Sequence, residues 1–429
     1  MQVVEAGLTW TGQGFENQVR VSVKADGRIA AVGRLSEGPT LRLPDEALIP
    51  GLVNAHSHSF QIGLRGSAQT FPAGKPSAGA WQGRLHELVD GMGPESFGRL
   101  LARAFSEMRR SGITTVGELH YLHHSRDSKD FAFDEQVLSA AETAGIRLAL
   151  LNTHYRTGSI GGPLSGAQNR FDTGSIESFW RRMASLESLL GARQTLGCAA
   201  HSIRAVPMEE IVSLHEEATS RGMVFHMHVE DRLEEIEESI RVFGRRPMEL
   251  INDQLEVMGN FTAVHCTHTA PVDLERFVAK GGVVCINPLT KANLGDGTQR
   301  NLAHAARNLA IGTGSNTRIG MIEEMRWLEY AQRLANETRG VLADGSGRVA
   351  SILLDAATLG GARSLGINAG RIEQGCPADF ATIDLTSPVL EGWTESSLPE
   401  LVIFGGSEEL ILRTCVDGVW SQHREAARS

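Results

Sequence analysis

The sequence predicts an α/β protein: a (β/α)8 TIM-type barrel that carries a small β-sandwich domain built from both termini. Three observations point there. Eight short apolar runs alternate with segments of helical periodicity, strand after strand ends in a histidine or a charge, and both chain ends carry short alternating segments with turn signals. Alternating strands and helices imply a parallel sheet. Eight such strands close into a barrel whose C-terminal strand ends share one face.

At the N-terminal end, residues 19–23 alternate, Asp26-Gly27 reads as a hairpin turn, and residues 28–32 resume the alternation. The first barrel strand is expected at 47–53. Seven further strand cores follow at 113–117, 147–151, 196–200, 223–229, 261–266, 282–286 and 309–313. Between the first two, Phe97, Leu100, Leu101, Ala104, Phe105 and Met108 recur at the spacing of one helix face. A helix at about 349–365 leads to strands at 378–385 and 414–420, the latter broken by a turn. The expected partition gives residues 1–47 and 370–429 to the small β domain and 48–369 to the barrel.

The 429 residues suit one barrel plus a small extra domain. A net charge of −10 argues against nucleic acid or an anionic membrane as partner and leaves a small anionic substrate open. The five cysteines are odd in number and form no C-x-x-C, so buried, reduced thiols in a cytoplasmic protein are expected. Residues 1–6 lack the basic-then-apolar pattern of a secretory leader, and no run of 18 apolar residues occurs.

The chemistry sits at the strand ends. His56-x-His58 puts two imidazoles on one side of an extended chain, a natural metal claw. His226-Met227-His228 repeats the geometry, and one of the two should face the barrel mouth and complete the site. His265 ends another strand. Three imidazoles around a divalent cation, with one position left for water, make a hydrolytic arrangement. Glu230 or Asp231, just after His228, could carry protons between water and a leaving nitrogen. Arg84 and Arg204 are candidates to bind substrate carboxylate, because a guanidinium fork matches it in shape and charge.

Several segments then resemble a known family. Pro50-Gly51-Leu52-Val53-Asn54-Ala55-His56-Ser57-His58 is similar to the first-strand signature of the amidohydrolase superfamily. Ser59-Phe60-Gln61, Glu118-Leu119-His120-Tyr121, His201-Ser202-Ile203-Arg204, Val264-His265-Cys266-Thr267-His268 and Ala292-Asn293-Leu294-Gly295-Asp296-Gly297 resemble formimidoylglutamate deiminases, over residues 48–385 in all. The resemblance implies hydrolysis of the formimino group of N-formimidoyl-L-glutamate, with release of ammonia, in histidine degradation. It implies one divalent metal, zinc as a rule, on His56, His58 and His228. Asp231 and His265 would be catalytic, and Gln61, Arg84, Tyr121, His201 and Arg204 would hold the substrate. It also implies a homodimer. Three positions depart from the family pattern: Asp231 stands where the family's shuttle glutamate is expected, Gly314 where an aspartate ends the eighth strand, and Lys291 where a glutamate is usual. Loss of that aspartate predicts weakened metal binding, which Gly314→Asp is expected to restore. Asp231, Asp296 and His265 are the groups that could take over its role. Two alternatives stay open: an enzyme of the same fold acting on another imine or guanidine compound, and a non-catalytic binding protein that keeps the pocket.

Overall fold

The computed structural model describes residues 1–69, 78–126, 128–300 and 302–424. Eight parallel strands run in sequence order: Leu52–Ser57, Ile113–His120, Arg147–His154, Gln194–Ala200, Phe225–Val229, Phe261–His265, Val283–Ile286 and Leu309–Ile311. The ring closes just past the eighth strand. Gly314 pairs with Ser57, its N–H donates to the His56 carbonyl at 3.0 Å, and its carbonyl accepts from the His58 N–H at 2.9 Å. The strands are almost wholly buried, which is why they read as apolar runs rather than alternating ones. The helix Pro94–Arg110 covers them as expected, burying Phe97, Leu101, Ala104, Phe105 and Met108.

The two chain ends join in one eight-stranded hydrogen-bonded sheet. Its strands include Gln2–Trp10, Arg20–Val23, Ile29–Gly33, Leu41–Pro50, Phe380–Asp384 and Ile411–Val416. A core of its own, with Val21, Ile29, Leu48, Phe380 and Cys415, fills it. One strand expectation is corrected. Residues 47–50 do not open the barrel: they pair with Leu8, Thr9 and residues 380–383 of the end sheet. The barrel strand begins at Leu52. Gly51 is the break, where a Cβ would stand 2.1 Å from the Thr114 hydroxyl, so the chain passes from one sheet to the other through a gap that admits no side chain.

All five cysteines are buried and unpaired. Among the described residues, no helix is long and apolar enough to cross a membrane.

Candidate active site

His56 lies on the first strand and His58 just past it, while His228 lies on the fifth. Their Nε2 atoms converge, with separations of 3.1 Å (His56–His58), 3.1 Å (His56–His228) and 3.3 Å (His58–His228). The tautomers of two rings follow from their other nitrogens. His58 Nδ1 donates to the Leu119 carbonyl at 2.9 Å, and His228 Nδ1 donates to the His201 carbonyl at 2.8 Å. A carbonyl only accepts, so each of these Nε2 atoms turns a lone pair toward the common centre. Lone pairs packed this closely repel unless a cation lies between them. Three nitrogens placed tetrahedrally at zinc distances would be about 3.3 Å apart, and the observed triangle fits. Burial pushes the His58 ring down to about 4 and the His228 ring to about 3, and it holds His56 well below the ordinary value. Neutral rings are what a metal needs. His226, the other half of its pair, instead donates from Nε2 to the Ser364 carbonyl, inside the barrel.

A cavity opens over these rings, lined by polar and aromatic side chains together. Asp231, not Glu230, faces it. Glu230 sits at φ +49°, and its carboxylate turns away to accept from the Met248 N–H and Arg246. Asp231 Oδ1 lies 3.8 Å from His265 Nε2 and is in direct contact with the Lys291 ammonium, which also reaches Asp296 at 3.3 Å. Burial alone would raise the Asp231 carboxyl, but His265, Lys291 and Arg204 outweigh it and hold it well below the usual carboxylate range. His265 shares the cavity and stacks on His228, with ring centroids 5.2 Å apart.

Gln61, Tyr121, His201 and Arg204 all reach this cavity. Gln61 Nε2 donates to the Tyr121 hydroxyl at 2.7 Å. Arg204 lines the cavity and is braced by its Nε–H donating to Glu235 at 2.7 Å. Arg84 is corrected. The helix Ala78–Asp90 turns Trp81, Gln82, Leu85 and His86 inward, while Arg84 points outward, 44% exposed, to pair with Glu87. Sequence reasoning passed over Arg232, whose guanidinium lies 5.9 Å from the Trp81 ring centroid and lines the cavity. Its only sequence signal was adjacency to Asp231. Tyr155 and Phe171, which complete an aromatic wall, carried no signal at all.

The Amidohydrolase family profile matches residues 47–420. The chain belongs to the amidohydrolase family. It is 32% identical to formimidoylglutamate deiminase of Pseudomonas aeruginosa, over 98% of this chain and 94% of that one. It is 27% identical to 5-methylthioadenosine/S-adenosylhomocysteine deaminase of Natronomonas pharaonis, over 85% and 79%. The crystal structure of an amidohydrolase from Brucella melitensis superposes with a TM-score of 0.88 at 30% identity, covering 99% and 96% of the two chains. The protein is thus an enzyme of the amidohydrolase superfamily, with deiminases that act on C–N bonds among its relatives.

Where this amidohydrolase has Gly314, the backbone is at φ +51°, and a Cβ would stand 2.5 Å from the Thr290 hydroxyl and 3.2 Å from the Asn287 Cβ. The expectation that an aspartate could simply be restored there is therefore corrected: the strand-eight turn is built around a glycine. A second histidine–carboxylate group, His120, His123 and Asp134, is buried nearby but already satisfied. Asp134 accepts from both rings at 2.9–3.0 Å and from Arg182, and His123 Nε2 donates to the Thr153 carbonyl. That network ties the second strand to its neighbours and engages the ring nitrogens that face Asp134.

Proposed function

We propose that this protein hydrolyses the amidine C–N bond of a carboxylate-bearing substrate, N-formimidoyl-L-glutamate or a close relative, in the cytoplasm as part of histidine degradation. The observation that carries the reading is the cavity itself: three converging imidazole nitrogens at its floor, two of them with lone pairs aimed inward by main-chain carbonyls, and a braced guanidinium, Arg204, in its wall. His56, His58 and His228 would hold one divalent ion, zinc by its donor set. When bound, the ion would acidify a water toward neutrality.

The remaining roles belong to the chain's own groups. Arg204 binds a substrate carboxylate and, with Gln61 and Tyr121, turns the amidine carbon toward the imidazoles. His201, packed against Tyr121 and Tyr155, closes the wall behind. Asp231 accepts a proton from water, and His265, 3.8 Å away, passes it to the leaving nitrogen so that ammonia departs. Because Lys291 holds Asp231 firmly ionised, that carboxylate is a weak base, and turnover falls below an ordinary enzyme rate of about 10 s⁻¹. The substrate is a small anion, with neither nucleic acid nor membrane involved, and the working form is a homodimer.

A second reading has a specific observation behind it. The Lys291–Asp231–Asp296 cluster and the glycine-built turn at 314 alter the side of the cavity nearest the reacting group, as they would in an enzyme adapted to another imine or guanidine compound. One experiment separates the readings: metal content of the purified protein, together with ammonia release from N-formimidoyl-L-glutamate before and after chelation and reloading. Chelation-sensitive ammonia release supports the first. A full metal complement with no release from this substrate retires it in favour of the second, and a metal-free protein that never releases ammonia leaves only a binding function.

A further inference from the structure

Arg232 closes the strand-five loop and precedes the helix Leu233–Phe243. Its side chain does not run out to solvent. It is 17% exposed, lines the cavity, and rests against the Trp81 ring at 5.9 Å. Its Nε is buried without a hydrogen-bond partner. The nearest carboxylate oxygen, Asp231 Oδ2, is 3.9 Å away, beyond hydrogen-bond range, and that carboxylate is already engaged by Lys291. A buried charged donor left unmatched is costly, so the position calls for a partner that arrives with the ligand. An aromatic face beside a guanidinium helps to fix its plane, and the guanidinium lines the cavity, where a ligand carboxylate would meet it.

The outward-facing Arg84 cannot supply this group. We propose that Arg232, stacked on Trp81, is a specificity-determining residue that binds a carboxylate of the substrate from the same cavity as Arg204, in the place the sequence had suggested for Arg84. The inference rests on the reading that the substrate carries carboxylates. It deepens that reading by assigning two guanidiniums, and so a dicarboxylate, to one cavity. The loop fixes the geometry: Asp231 and Arg232 are consecutive, so proton acceptor and anion binder are held at a constant spacing by one stretch of backbone.

The test is calorimetric titration of the protein, as purified and after chelation, with N-formyl-L-glutamate and with its γ-amide, N-formyl-L-glutamine. Arg232→Gln should weaken the dicarboxylate by about ten- to a hundred-fold, the range for a lost hydrogen-bonded charge. Arg232→Lys, which keeps charge but not the fork, should fall between. Arg84→Ala should leave affinity unchanged, and far-ultraviolet circular dichroism should confirm that all variants fold. In the Arg232→Gln variant, the dicarboxylate and its γ-amide should differ less than they do in the unmodified protein. Undiminished affinity in both Arg232 variants, with loss in an Arg204→Gln control, overturns the role of Arg232 and leaves the carboxylate reading standing. Absence of binding by the unmodified protein to either probe overturns both.

Discussion

At the ends of the first and fifth strands, each of two imidazoles is aimed by a main-chain carbonyl, Leu119 for His58 and His201 for His228. At the ends of the seventh and eighth strands the same mouth is lined by a lysine clamped between two aspartates and by a glycine in a left-handed turn. The first side needs nothing from the second to orient its lone pairs, since both carbonyls belong to the barrel's own backbone. The second side cannot change one residue at a time. Gly314 closes the barrel against His56 and His58, and Thr290 fills the space a side chain would need. The carbonyls that orient these two imidazoles and the side chains that engage Asp231 are therefore different groups, and substitution can address each in turn.

The largest expected effect comes from breaking the imidazole side. His58→Ala or His228→Ala should lower metal affinity by more than about a hundred-fold, beyond the range for losing an outer partner of a ligand. His226→Ala, from the same H-x-H motif, should leave metal content unchanged. Competition with a chromophoric chelator measures all three. Equal losses in His226→Ala and His228→Ala would mean that the fifth strand's register has been misassigned.

The same rings give a pH effect of known sign. His58 titrates at about 4, His228 at about 3 and His226 at about 4, against 6.5 when unfolded. Below pH 6.5 the unfolded chain therefore takes up protons that the folded one refuses, so stability falls as pH falls toward the folded values and is complete above 6.5. In chelated protein the three rings together should remove on the order of 5–6 kcal/mol between pH 7 and pH 5. Urea unfolding at several pH values measures it, and a flat profile would show that the rings protonate inside the fold.

On the altered side, Lys291→Met strands Asp231 and Asp296 in a nearly closed environment and should cost about 3 kcal/mol, the low end for removing half of a buried pair because some exposure remains. Adding Asp231→Asn should recover much of that loss. If the two substitutions simply add, the lysine is not held by Asp231. Gly314→Asp should cost about 2 kcal/mol through left-handed strain, without raising metal affinity. Adding Thr290→Ala removes the hydroxyl in the way and should return part of the loss. A single Gly314→Asp protein that is as stable as the parent and binds metal more tightly would restore the simple sequence expectation.

What was legible in the sequence follows the same division. Strands buried on both faces print their positions as apolar runs, and a histidine two residues from another on an extended chain has only one geometry, so the barrel and the triad His56, His58 and His228 could be read directly. The first strand was misplaced because residues 47–50 and 52–57 are both apolar, and the passage between sheets is marked by one glycine. The residues alone did not separate Glu230 from Asp231, which only the family resemblance singled out, because the left-handed φ of Glu230 decides which carboxylate faces the cavity. The Lys291 cluster joins residues 60 and 5 positions apart in sequence, a distance no local pattern spans.

Arg84 marks the small end of the scale and compares directly with Arg232. Both are arginines near Trp81, and the sequence pointed to Arg84 through guanidinium chemistry and the family resemblance, neither of which gives the phase of a helix. The helix Ala78–Asp90 settles the phase otherwise. Trp81, Gln82, Leu85 and His86 line the cavity, while Arg84 lies off that side of the helix and pairs with Glu87, three residues on. The pair is well exposed on both partners, 44% and 66%, and a bridge of that kind is screened by water. Arg84→Ala should therefore change stability by less than about 0.5 kcal/mol and should leave KM and kcat for any accepted carboxylate substrate as they are. A several-fold rise in KM with kcat unchanged would show that the helix rotates on ligand binding and brings Arg84 to the carboxylate, and the contrast between the two arginines would then belong to the ligand-free protein only.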